Sequence, residues 1–148
     1  MATEKTKKTT KVKSKKEYIY GLGRRRTASA RVRIYLKSDK KGEIEVNKKK
    51  IEEYFPGEMA QKLYLEPLRV CNIVGKYYIS ALIAGSGKQS QLDAFVHGVS
   101  RALVVLDEEN YRPILKKRDF LTRDPRMRER RKVGTGGKAR RQKQSPKR

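Results

Sequence analysis

The sequence predicts an α+β fold: one β-sheet carrying helices on a single face, with a basic arm at each end. Three observations predict it. Strand-type alternation is concentrated in residues 17–47 and returns near residue 80. A long helical periodicity follows the last strand, which segregates helices from strands as α+β sandwiches do. Charge is the third, because the 148-residue chain carries +23 very unevenly. Residues 1–16 hold seven Lys and one Glu, and residues 123–148 hold twelve Lys or Arg against Asp124 and Glu129. These arms account for +6 and +10, so residues 17–122 retain +7, an ordinary mildly basic domain.

The length is that of one domain with little to spare. The chain is therefore expected to divide into a disordered Lys/Thr-rich extension (1–16), a globular α+β domain (17–122) and an extended basic tail (123–148). The tail has only Met127, Val133 and Ala139 as apolar side chains. It cannot offset its ordering entropy by packing on itself, and is expected to order only against something acidic and extended.

Residues 17–23, EYIYGLG, read as a short strand ending in glycines. Arg24, Arg25 and Arg26 then lead to a strand at 29–36. There Ala30, Val32, Ile34 and Leu36 alternate with Arg31, Arg33 and Tyr35, giving one dry face and one basic face. Residues 38–42 are expected to turn the chain into a hairpin whose return strand is 43–47, with Ile44 and Val46 facing the core. A short helix over 50–55 is closed by Pro56-Gly57. Helical spacing resumes at 58–65 through Met59 and Leu63, until Pro67 interrupts it for want of an N–H. Gly75 separates 69–74 from 76–84, within which residues 78–83 (YISALI) form the strongest late strand. Gly85-Ser86-Gly87 ends it.

The long helix is expected over 89–107, where Leu92, Val96, Val99, Leu103 and Leu106 form an apolar stripe. Ser86 or Ser90 is the candidate cap. A second helix over 108–118 requires Pro113 to fall in its first turn. Leu115, Phe120 and Leu121 close the core. Asp124-Pro125 reads as the cap and first residue of one last helical turn.

Catalytic and metal chemistry are not expected. One Cys and one His exclude an intramolecular disulfide and a protein-only structural zinc site, and the lone Cys71 fits a reducing cytosol. Gly21-Leu22-Gly23 begins like a dinucleotide fingerprint, but its sixth position is Arg26. Gly87-Lys88 resembles the end of a phosphate loop, yet Leu82 and Gln89 occupy its other required positions. His97 adjoins the apolar stripe and reads as a packing or hydrogen-bonding residue. Cys71, in an apolar run, reads as a buried small side chain. No apolar run reaches the roughly 18 residues of a membrane span, and no secretory leader is expected. No cofactor and no small-molecule substrate are implied.

What remains is a polyanion partner, with RNA first. Arg24 to Arg26 offer guanidinium forks, and the glycines before them offer backbone N–H groups. Arg31 and Arg33 extend that patch along the strand. Gly85, Ser86, Gly87 and Lys88 open the long helix, where backbone donors and the dipole favour a phosphate. A general nucleic-acid-binding factor held by counterion release is the alternative class. An enzyme of a similar sandwich fold is another, and it lacks a phosphate loop or acid–base pair here.

Several spaced motifs then point to a family. They are residues 23–32 (GRRRTASARV), 44–47, Tyr54-Phe55, Pro67-Leu68 and 97–103 (HGVSRAL). Toward the end come 122–126 (TRDPR), 129–134 (ERRKVG), 138–141 and the terminal Lys147-Arg148. In this order, over residues 18–148, they resemble small-subunit ribosomal protein nine. The resemblance implies a sandwich of the type found in the second domain of ribosomal protein five, with a left-handed βαβ crossover. It implies a place in the head of the small subunit of cytoplasmic ribosomes, beside neighbouring head proteins. The partners it implies are small-subunit ribosomal RNA and transfer RNA in the P site.

Carried over, the ribosomal RNA contacts are Arg24, Arg25, Arg26, Thr27, Arg31 and Arg33; Gly85, Ser86, Gly87 and Lys88; His97, Arg101 and Arg118. In the tail they are Arg123, Arg126, Arg128, Arg130, Arg131, Lys132, Lys138, Arg140, Arg141 and Lys143. Lys147 and Arg148 are the implied transfer RNA contacts. The chain departs from the family where Ser86 replaces a glycine, where Val96 replaces an arginine and where Ser145-Pro146 replaces Phe-Ser. Gly136-Gly137 adds slack, so 134–137 reads as a glycine hinge.

Overall fold

A computed structural model of the chain describes residues 18–140. Two long strands open it, β1 (Tyr18–Arg25) and β2 (Ala28–Tyr35). They pair antiparallel from Tyr18↔Tyr35 to Arg25↔Ala28, and Arg26 turns the corner at φ 52°. Two short strands follow, β3 (Ile44–Val46) and β4 (Lys49–Lys50), then two helices, α1 (Ile51–Tyr54) and α2 (Glu58–Val70). Strand β5 (Tyr78–Ala84), the long helix α3 (Lys88–Leu106) and α4 (Glu108–Lys117) complete the domain. The fold is α+β, with a five-stranded sheet in the order β1-β2-β5-β3-β4.

That order overturns the expected hairpin at 38–42. The free edge of β2 is taken by β5, which pairs with it antiparallel over seven residues, Ser29↔Ala84 to Tyr35↔Tyr78. β3 pairs with the far side of β5 and runs parallel to it. The chain therefore crosses from β3 to β5 through α1 and α2. A three-residue strand cannot compete for the edge of β2 with a partner of full length.

Alternation sorts the two faces of the sheet. Ala28, Ala30, Val32 and Ile34 of β2, with Ile79, Ala81 and Ile83 of β5, are buried under the helices. Leu36, expected to continue that row, lies beyond the end of β2 and is 44% exposed. The helix face reaches β1 through glycines: a Cβ on Gly23 would stand 1.8 Å from the Ala94 carbonyl oxygen. One on Gly98 would stand 2.8 Å from Val32. Helix α3 thus rests directly on strand backbone, and its buried side is wider than the predicted stripe. Phe95, Ala94 and Ala102 are buried with Leu92, Val99 and Leu103, while Val96 and Leu106 are half-buried. Burying a side chain such as Phe95 contributes about 1.5–3 kcal/mol.

Both proline expectations fail in the same way. Pro67 and Pro113 lie inside α2 and α4. The carbonyls that lose a partner belong to Leu63 and Glu109, at exposed positions where water can serve them. Pro67 is itself buried, so packing offsets what the helix loses, and α2 buries Tyr64, Pro67 and Leu68 while Met59 stays 72% exposed. The expected serine caps are also absent. Ser86 has φ 51° and cannot cap, Gly87 holds that position, and Ser90 is buried within the helix. Helix α4 does have a side-chain cap, Asp107, which accepts from the Asn110 backbone N–H at 3.1 Å.

Candidate nucleic-acid interface

The interface is built where three segments meet: the β1–β2 corner, the start of α3 and the stretch leaving α4. At the corner, strand alternation separates the three arginines. Arg24 and Arg26 are exposed. Arg25 stands opposite buried Ala28, on the helix side of the sheet, and its side chain is only 17% exposed.

A guanidinium on that side needs acceptors, and it has three. Its Nε lies 3.5 Å from Asp93 of α3, and its Nη2 lies 3.1 Å from Asp124. Its Nη1 donates to the Arg126 backbone carbonyl at 2.7 Å. One side chain so joins strand, helix and the first residues of the tail. Asp124 also accepts from the side chain of Arg126 at 2.7–3.1 Å and from its backbone N–H at 2.8 Å. Arg126 first, and Arg25 after it, hold the Asp124 carboxyl well below the usual carboxylate range. Asp124 is therefore the pin of a turn, and the predicted helical turn at 124–125 does not form. Its carboxylate is spent on Arg25 and Arg126 rather than on capping.

His97 fastens the same three segments. Its Nδ1 accepts the Arg24 backbone N–H at 3.3 Å, and its Nε2–H donates to the Leu121 carbonyl at 3.3 Å. Burial lowers its pKa, and the nearby cations Arg101 and Arg123 lower it further. The ring is a neutral brace with both nitrogens occupied. The backbone N–H of Arg24, expected to be open to a phosphate, is taken by this histidine. Arg101 from α3 donates to the Leu22 carbonyl at 2.9 Å while remaining exposed. Arg118, exposed at the end of α4, lies 3.3 Å from Glu66.

Beside the corner, Gly85 packs against Thr27: a Cβ there would stand 2.3 Å from the Thr27 carbonyl oxygen. Gly85, Ser86, Gly87 and Lys88 are all exposed, and the start of α3 has no side-chain cap. Its first backbone N–H groups have no partner within the helix. Lys88 is held over the Tyr54 ring at 3.4 Å and donates to the Tyr54 carbonyl. Arg31 and Arg33 lie on the opposite, open face of the sheet, where Arg33 sits over the Tyr18 ring at 5.2 Å.

Residues 123–132 adopt no regular structure, and Arg128, Arg130, Arg131 and Lys132 are exposed and make no ion pair among the described residues. The expected slack hinge is instead a closed turn. Gly134, Gly136 and Gly137 have φ of 79°, 60° and 73°, and the Lys132 N–H donates to the Lys138 carbonyl at 3.3 Å. Arg140 pairs with Glu129 at 2.6 Å across it. Arg141, Lys143, Lys147 and Arg148 lie outside the described residues, as does the 1–16 extension. Asp93 is the partner that sequence reasoning missed. Its signal was the register: a strand running through Arg25 turns that charge toward the helix side.

Cys71 is buried, and burial raises its pKa, as expected of a packed thiol. Among the described residues no cluster of His, Cys, Asp or Glu suits a metal ion, and no helix is long and apolar enough to cross a membrane.

Residues 23–148 match the family model described as ribosomal protein S9/S16. The chain belongs to the ribosomal protein S9/S16 family. It is similar to the small ribosomal subunit protein uS9 of Desulfovibrio desulfuricans (strain ATCC 27774 / DSM 6949 / MB), at 44% identity over 118 residues. That alignment covers 80% of this chain and 88% of the relative. Members of the S9/S16 family are structural ribosomal proteins, and this one is not an enzyme.

Proposed function

We propose that this protein is a constituent of the small ribosomal subunit, in the head of cytoplasmic ribosomes, and binds small-subunit ribosomal RNA. Its tail then reaches P-site transfer RNA through Lys147 and Arg148. The similarity to a small-subunit uS9 supports the assignment to the subunit. The observation that carries the mechanism is the Arg25 junction, because it sets where the basic tail leaves the domain.

The geometry supports a division of labour. Arg24, Arg26, Thr27 and the start of α3 present guanidinium groups and helix donors to RNA phosphates from one rim. Phosphate contacts of this kind position a protein without reading sequence. Arg25 and His97 point inward and act by holding that rim and the tail exit in register. Arg123 to Lys143 neutralise RNA phosphates along the tail. Beyond the sheet and helices already described, we read the fold as the sandwich of the ribosomal protein five domain type, the β3-to-β5 crossover being its left-handed βαβ unit.

Removing Lys147 and Arg148 tests the tip. Subunits carrying the truncated chain should assemble normally and hold P-site transfer RNA more weakly. Two lost contacts at roughly 0.7 each predict a loss of about 1.4 in the slope of log affinity against log salt. Unchanged transfer RNA affinity and slope would contradict the proposed contact.

A further inference from the structure

The described helices cover one face of the sheet, and among the described residues nothing packs over the other. Register places Tyr18, Tyr35 and Tyr78 side by side on that open face across β1, β2 and β5. Their ring centroids are 5.7 and 5.2 Å apart. The next rank is Tyr20, Arg33 and Ser80, and the one after it is Leu22, Arg31 and Leu82. Cross-strand ring packing accounts for the first rank, as in many sheets. It does not account for Tyr20 and Leu82, left 45% and 47% exposed in register with Arg33 and Arg31.

Charge on the face is one-sided. Among the described strand residues, Arg24, Arg31 and Arg33 share it with a single carboxylate, Glu45, which is occupied. Glu45 accepts from the Tyr78 hydroxyl at 2.7 Å and pairs with Lys40 at 3.3 Å. Burial, and after it that contact, raise the Tyr78 phenol to about 12, so the ring stays neutral. Flat rings and apolar surface interleaved with arginines offer unpaired bases a π-face and their phosphates a cation. A duplex, whose bases are stacked internally, could not use the rings.

We propose that this open sheet face binds a single-stranded RNA segment, with a base stacked on Tyr20 and flanking phosphates held by Arg31 and Arg33. The inference rests on the RNA-binding reading above and deepens it, adding a second RNA surface on the face opposite α3. The partner is RNA because the free charge is positive and the exposed side chains are of the stacking type.

The test uses assembled ribosomes carrying a photoreactive benzophenone side chain at Tyr20, at Leu82 or, as a control, at Arg128. Illumination should join positions 20 and 82 to RNA. Adducts from both positions to another protein or to residues 1–17 of this chain, or no adduct from either, would overturn the inference. An RNA adduct from position 128 in that case would show that the RNA-binding reading survives without it. No RNA adduct from any of the three would remove both. In parallel, Tyr20→Ala in the full chain should weaken binding of a single-stranded uridine oligomer by roughly tenfold, with Tyr20→Phe close to wild type. Equal binding by Tyr20→Ala and wild type would count against the stacked base.

Discussion

At the scale of residues, position in the strand outweighs residue type. Three adjacent arginines read from sequence as three equal phosphate ligands, yet β1 assigns Arg25 to its helix side and leaves Arg24 and Arg26 outside. The glycines before them were legible as punctuation but not as contacts, because their role depends on which helix lands there. Gly23→Ala would force a methyl into the Ala94 carbonyl, which is backbone and cannot swing away. Denaturant unfolding should show a loss of about 1–3 kcal/mol, as expected of overpacking. His97 makes a pH prediction. Its folded pKa lies below its ordinary 6.5, so below that value the unfolded chain binds the extra proton. Its contribution to stability is complete above pH 6.5 and is lost as pH falls from there through the folded value. Midpoints of urea unfolding measured from pH 8 to pH 5 should fall on the acid side, and His97→Gln should flatten that part of the profile.

At the scale of elements, long periodic segments were legible and contested edges were not. Both long strands of the opening hairpin, β5, and the two C-terminal helices are present within a residue or two of where alternation and helical spacing put them. The partner of β3 was hidden, because local turn chemistry at 38–42 favours a hairpin while the choice of edge is made by β5, some thirty residues on. Proline rules misjudged α2 and α4 because they price a lost backbone bond and not the burial or solvation around it. The junction of β1, α3 and the tail holds the tail base through Arg25. Arg25→Asp places three carboxylates together and should release the tail base, so that trypsin cuts after Arg123 and Arg126 several-fold faster. Adding Asp93→Arg restores an opposite-charge pair while leaving Asp124 on Arg126, and should slow cleavage again. Equal cleavage of single and double variants would deny the junction its role.

For the whole molecule, charge and family motifs made the partner class legible, since a +10 tail with three apolar side chains has no way to fold on itself. The path of that tail was not legible, because backbone at 123–138 is shaped by particular contacts, Asp124 with Arg25 and the Lys132–Lys138 turn. In the proposed reading the domain offers RNA a rim at the β1–β2 corner, and half-buried Arg25 ties the tail to that rim. Residues 138–148 can span at most roughly 36 Å when extended, enough to cross a layer of RNA. The most direct measurement is a density map of the small subunit that resolves this chain from Arg123 to Arg148. Such a map should show Arg25 still on Asp93 and Asp124, the tail running through RNA, and Lys147 and Arg148 beside the P-site transfer RNA. A tail folded over the protein surface, or Arg25 withdrawn from Asp124 onto a phosphate, would contradict that arrangement.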